Sequence, residues 1–232
     1  MPFAQFLPAS SPEAIAAERS WLLPQHADAT LACGLLSFHT YVIRHRGRTI
    51  LVDTCMGNDK DRGGHPLFHG LRTHWLDELA ALGVRPESVD YVMCTHMHGD
   101  HVGWNTRLEN GRWVPTFPNA RYLFSGVERD YWDPHGKGPR PTPSGAYVNT
   151  NVFEDIVQPL LDAGVAELVH AGHRVSESIT LQLGPGHTPG HLIMDVRSQG
   201  DSALFVGDIL HHPVQVHRPD WNSPFCEDQA QA

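Results

Sequence analysis

The sequence predicts an α/β fold, because short apolar runs that read as strands alternate with amphipathic segments that read as helices. Three stretches set the pattern. Residues 39–55, HTYVIRHRGRTILVDTC, hold two β-rich runs around a polar turn at 45–48. Residues 72–83 place Trp75, Leu76, Leu79 and Leu82 at three- and four-residue steps, the period of a helix with one buried face. The last part of the chain alternates ITLQL, LIMDV and SALFVGD with turns. Interleaved strands and helices imply α/β layers. The hairpins rule out a purely parallel sheet.

The remaining elements follow in order. Residues 57–70 form a Gly-rich loop with His65 and His69 and little periodicity. Gly83 stands where a glycine C-cap is expected. VDYVMC, 89–94, is a short apolar run suited to a buried strand, and ARYLFS, 120–125, is another. Residues 132–147 carry too much Pro and Gly for regular structure. A helix is expected from Asn151, with Glu154 three residues on as in a capping box, to near Gly164. The terminal FCEDQAQA reads as the start of a helix.

Composition narrows the function classes. The 232 residues are 41% hydrophobic, enough for the core of one large domain or two packed halves. A formal net charge of −9 without a long Lys/Arg run argues against a nucleic-acid partner. The first residues lack the basic start and apolar core of a secretion signal. No stretch approaches the roughly 20 apolar residues that span a bilayer. Cys33, Cys55, Cys94 and Cys226 are scattered and form no CxxC pair, which fits reduced thiols in the cytoplasm. Seventeen histidines make metal chemistry plausible and also make any single histidine incidental.

Spacing separates the two cases at THMHGDH, 95–101, which directly follows the apolar run. Beyond a strand end the backbone often stays extended, so His96 and His98, two apart, can aim at one point. Gly99 permits a sharp turn, after which Asp100 and His101 can serve a neighbouring point. Imidazole and carboxylate are good ligands for zinc and similar divalent ions. Groups this dense repel one another when protonated, and a cation relieves the conflict.

The stretch THMHGDH resembles the HxHxDH signature of the metallo-β-lactamase superfamily, and further landmarks occur in order. LVDTCMGN, 51–58, resembles an early strand ending in Asp-Thr-Gly, with Cys55 in place of the glycine. GPGHTPGH, 184–191, resembles the second histidine motif, and FVGD, 205–208, the strand that ends in a bridging aspartate. The resemblance runs from about residue 30 to 215 and implies a four-layer αββα sandwich of two mixed β-sheets in a single domain over 1–232. It implies that His96, His98 and His187 hold a first metal, that Asp100 and His101 serve a second, and that Asp208 bridges them. Two zinc ions are expected, with iron or manganese as alternatives. His191 and Asp53 are expected to support the ligands through hydrogen bonds rather than touch metal.

Two-metal members carry a further histidine well beyond the bridging aspartate, whereas no histidine follows His217 here. The chain is therefore expected to be C-terminally incomplete, lacking a last strand and helix. Otherwise His211, His212 or His217 takes the missing role. For His211 and His212 a loop that merely flanks the site is the expectation.

Paired cations lower the pKa of a shared water toward ~7 and polarise a carbonyl or phosphoryl oxygen. No GxSxG competes with them. The expected reaction is attack by a metal-bound hydroxide on a small-molecule ester or lactone, with Asp100 or Asp208 carrying a proton to the leaving group. Phe68, Trp104, Tyr131, Trp132 and Tyr147 are candidate walls for an uncharged or amphipathic substrate, and Tyr131 or Tyr147 a candidate oxyanion donor. The motifs are similar to those of lactonases and organophosphate hydrolases in the superfamily. Alternatives are a phosphotriester hydrolase, a mononuclear iron persulfide dioxygenase, and a non-catalytic metal-binding remnant. The expected partner is a small-molecule substrate, with a homodimer left open.

Overall fold

The computed structural model describes residues 1–138, 141 and 149–232. One sheet contains β1 (Tyr41–His45), β2 (Arg48–Val52), β3 (Tyr91–Met93), β6 (Arg121–Ser125) and β7 (Ala166–Val169), in that spatial order. The β1–β2 hairpin is antiparallel, and the other pairings in this sheet are parallel. A second, antiparallel sheet orders β11 (Asp201–Phe205), β10 (Leu192–Ser198), β9 (Ile179–Leu183) and β8 (Arg174–Ser176).

The sheets face each other across one apolar cluster. Ile50, Val52, Met93 and Leu123 from the first sheet meet Ile179, Leu181, Leu192 and Met194 from the second, all almost fully buried. Leu51, Val92, Tyr122 and Phe124 point the other way, under α4 (Trp75–Ala81), α6 (Gly126–Trp132) and residues 153–162. With both faces covered, β2 reads ILV without polar alternation. Truncating Leu123 to Ala should cost about 2–5 kcal/mol, because the gap lies between two sheets that cannot close on it.

Two facing sheets, the first mixed and the second antiparallel, with helices on the outer face of the first agree with the expected sandwich, and the predicted strands lie where the apolar runs place them. Gly83 follows α4 with φ 73° and donates its N–H to the Ala80 carbonyl. No described helix is long and apolar enough to cross a membrane.

Two expectations change. Asn151 does not cap a helix: its φ is 59°, and its amide donates to the Asp61 carbonyl. A wide π-turn over Phe153–Val157 leads instead into α7 (Gln158–Asp162). Pro159 supplies the reason. It has no N–H to offer the Asp155 carbonyl one turn back, and that carbonyl accepts from Thr106 Oγ1 at 2.6 Å and Lys60 Nζ at 3.2 Å. Second, FCEDQAQA is not helical; it forms turns folded against residues 186–187. At the N-terminus three short helices, α1 (Phe3–Phe6), α2 (Pro12–Ala17) and α3 (Arg19–Leu22), pack Phe3, Phe6, Ile15 and Leu22 against Val214 and Trp221.

Candidate metal centre

The centre forms where strand ends converge. Asp53 follows β2, the histidine cluster follows β3, His187 and His191 precede β10, and Asp208 follows β11. The Leu192 N–H donates to the Thr95 carbonyl at 2.7 Å, tying the end of β3 to the start of β10. Beyond Thr95 the chain stays extended through His98, then turns at Gly99 into α5 (Gly99–Val102). Asp100 and His101 therefore come back toward His96.

Three imidazoles meet at one point. His187 Nε2 lies 3.1 Å from His96 Nε2 and 2.9 Å from His98 Nδ1, and the latter two are 3.0 Å apart. Beside them, His101 Nε2 lies 3.3 Å from Asp208 Oδ1 and 3.7 Å from Asp100 Oδ2. The other Asp208 oxygen is 3.7 Å from His187 Nε2. Asp208 thus stands between two donor sets, His96–His98–His187 and His96–His101–Asp208. Five of the six residues expected as ligands fall in these sets, and Asp100 lies beside them, facing His101 alone at 3.7 Å among the described contacts.

Electrostatics fit a cation. Burial pushes the His98 imidazolium pKa down to about 3 and those of His96 and His187 well below the ordinary value, so all three are neutral donors. Each neutral ring carries one proton, yet three ring nitrogens crowd one point, and His98 Nε2 is buried with no hydrogen-bond partner among the described residues. On the other side burial opposes charge, but Asp208, Asp100 and Asp53 hold His101 well above its ordinary value. Burial likewise opposes an ionised Asp208, and His101 and His211 nevertheless hold it well below the usual carboxylate range. The chain alone balances these carboxylates with a proton on His101; a divalent cation replaces that proton. The donor set of imidazole and carboxylate suits zinc, manganese or iron(II).

Supporting contacts fix the rings. Asp53 accepts from Thr95 N–H at 2.8 Å and Thr95 Oγ1 at 2.7 Å, and its Oδ2 is 2.8 Å from His101 Nδ1. His101 donates there, which leaves Nε2 facing Asp208. His191 stacks on His96 at 5.0 Å between centroids, and its Nε2 accepts from the Asp208 N–H at 3.2 Å. A Cβ on Gly207 would stand 2.7 Å from both His191 Nε2 and Thr95 Oγ1, so only glycine lets Asp208 approach.

Sequence reasoning missed several residues. Glu128, fully buried in α6, accepts from Met97 N–H (3.1 Å), Trp132 Nε1 (2.9 Å) and Gly190 N–H (2.8 Å). It joins the residue between His96 and His98 to the loop between His187 and His191. Nothing local to GVERDYW marks that role. Cys226 Sγ lies 3.6 Å from His187 Nδ1, with its thiol pushed up to about 11 by burial. His211 was expected to flank the site, yet its ring enters it, with Nε2 3.5 Å from Asp208 Oδ2. His212 Nε2 donates to the His26 carbonyl, and His217 meets Glu18 near the surface.

The aromatic candidates divide. Trp132 stands edge-on to His98 at 5.3 Å. Trp104 stacks on Trp75 within the core and is not a wall of the site. Phe68 packs on Phe38 and His65 in the 57–70 loop. Tyr131 Oη donates to Glu227 Oε2 at 2.6 Å, and Tyr147 lies outside the described residues.

A sequence profile of the metallo-beta-lactamase superfamily matches residues 34–228. No curated protein gives a match. Among solved structures, the chain is similar to the hydrolase AbOPH in the beta-lactamase superfamily, with 24% identity and a TM-score of 0.76, covering 100% of this chain and 75% of that one. It is similar to AidC, a dizinc quorum-quenching lactonase in complex with a product, at 20% identity and a TM-score of 0.71, covering 99% and 74%. A probable metal-dependent hydrolase from Staphylococcus aureus aligns at 20% identity and a TM-score of 0.73, covering 100% and 76%. At these identities the structures share the fold.

Proposed function

The chain belongs to the metallo-β-lactamase superfamily, and from that premise we propose that it is a metal-dependent hydrolase of a small ester or lactone. The observation that carries the reading is the pair of adjoining donor sets, His96–His98–His187 and His96–His101–Asp208, meeting at one carboxylate. Cations bound there supply Lewis-acid activation of a water and of the substrate's carbonyl oxygen.

The protein's own groups account for the rest. His96, His98 and His187 stay unprotonated at neutral pH because burial disfavours their charge, so they remain available as donors. Asp208 and Asp100 sit on the two sides of His101 Nε2, placed to take a proton from the attacking water and pass it to the leaving oxygen. Asp53 keeps the His101 ring from turning away. A cleft of about 230 Å³ opens beside Trp132, lined also by Tyr131, Pro141, Asn149 and Phe153. Its walls are mixed and include one carboxylate, Glu154, so they suit a neutral acyl group better than an anionic one.

The lactonase AidC and the hydrolase AbOPH share this fold at low identity and favour this reaction class over others hosted by it. We place the enzyme in a reducing cytoplasm, in keeping with four unpaired cysteines. Zinc- or manganese-loaded protein should hydrolyse members of a lactone, ester, thioester and phosphotriester panel, with lactones or esters preferred. Oxygen uptake with glutathione persulfide and no hydrolysis of the panel would overturn the reading.

A further inference from the structure

Among the described residues near the centre, His211 is the histidine with both ring nitrogens buried and without a hydrogen-bond partner. Gln215 Oε1 accepts from the His211 and His212 N–H groups at 2.8 and 3.1 Å, and its amide donates to the Trp221 carbonyl at 2.9 Å, so the backbone here is fixed. The His211 side chain is only 8% exposed, and both ring nitrogens are buried without a hydrogen-bond partner among the described residues. Burying an imidazole with neither nitrogen satisfied is costly and needs a reason. The neighbouring His212 shows the ordinary alternative: its Nε2 donates to the His26 carbonyl, and its Nδ1 accepts from the Val214 N–H.

The ring's surroundings supply the reason. Nε2 is 3.5 Å from Asp208 Oδ2, the ring is 4.9 Å from that of His187, and Phe225 closes the other side at 5.8 Å. His211, His187 and Cys226 offer ligand atoms within 4.8 Å of one another. Oδ1 of Asp208 faces His101, so His211 occupies the opposite flank of the same carboxylate.

We propose that His211 is a metal ligand of this centre, binding a divalent cation on the Oδ2 side of Asp208. The inference rests on the proposed function, since it assumes that the centre takes metal. Cys226 Sγ faces His187 Nδ1 on the same side at 3.6 Å.

The wild-type protein allows a direct test. With ¹⁵N-labelled histidine, zinc added to the metal-free chain should shift the ring-nitrogen resonances of His211 together with those of His96, His98 and His187. In parallel, zinc affinity measured against a chromophoric chelator should fall more than about 100-fold in His211→Ala, beyond the roughly 10–100-fold typical of residues that act only through another ligand. That variant removes no side-chain hydrogen bond among the described residues, only the 3.5 Å contact with Asp208, and circular dichroism verifies its fold. If the His96, His98 and His187 resonances move while His211 stays still, or if His211→Ala binds zinc within that smaller range, the inference fails and the proposed function stands. If no histidine responds to zinc, the proposed function fails with it.

Discussion

Asp53 and His101, 48 positions apart in sequence, meet with Asp53 Oδ2 2.8 Å from His101 Nδ1. Each half of that contact is prepared locally. Asp53 adopts a φ of 56°, rare for a residue with a side chain, and Thr95 holds its carboxylate through two hydrogen bonds. His101 is set by α5, whose turn lets the His101 carbonyl accept from the Thr54 N–H at 2.6 Å. Ring orientation at one donor set therefore depends on a residue that need not touch the metal.

Asp53→Ala should lower affinity at the Asp100–His101 side by roughly 10–100-fold. Binding at His96–His98–His187 should remain. Zinc titration followed by competition should then show one weakened and one unchanged step. Equal weakening of both would mean that Asp53 acts on the fold rather than on His101.

Glu128→Ala would strand the Met97 and Gly190 N–H groups and Trp132 Nε1 in a buried space. At about 1–3 kcal/mol for each unpaired group, urea denaturation should show a loss of at least about 3 kcal/mol. Glu128→Gln keeps the volume but turns a donor toward a donor, and should lie between wild type and Ala.

Much of this was legible beforehand because each signal was local. HxHxDH after VDYVMC, and GD after SALFV, tie ligands to strand ends that hydrophobic pattern alone can place. The β4–β5 hairpin (Thr106–Glu109, Arg112–Pro115) is equally local: its turn is Asn110–Gly111, both at positive φ, a standard hairpin signal. Glu128 and Cys226 were not legible, since their roles come from contacts across 31 to 62 residues, and the sequence offers His211 only as one of three alternatives because its ring is placed by a backbone set by Gln215. The break at 153–157 was half legible: Pro159 stands in the sequence, but Lys60 and Thr106, which take up the Asp155 carbonyl it leaves, lie in no window around Asn151.

Lys60 offers a pH prediction. It is fully buried, its Nζ lies 3.5 Å from the centre of the Trp113 ring, and burial lowers its pKa to about 7 from 10.5 even with Asp155 nearby. Between these values the unfolded chain holds a proton that the folded one has released, so stability rises with pH. The slope from this group is roughly 1.4 kcal/mol per pH unit. It should be sought between about pH 7 and 9, below the range where the Cys94 and Cys226 thiols, raised by burial, act in the opposite sense. Denaturation of wild type and Lys60→Met across that window should show the slope only in wild type. Parallel pH profiles would refute it.

Gly207→Ala should disturb the centre without touching a ligand. The new Cβ meets His191 Nε2 and Thr95 Oγ1 at 2.7 Å, and a φ of 51° adds strain. Asp208, the next residue, must shift. Metal affinity should fall more than stability, read by competition titration beside thermal melts.

The most direct test of the account is the metal content of the chain itself, measured by elemental mass spectrometry after zinc reconstitution and removal of excess. Two adjoining donor sets predict about two tightly held ions per chain, with His96→Ala, which belongs to both sets, reducing retention of each. Retention of one ion or none by the wild-type protein would contradict the two-cation centre.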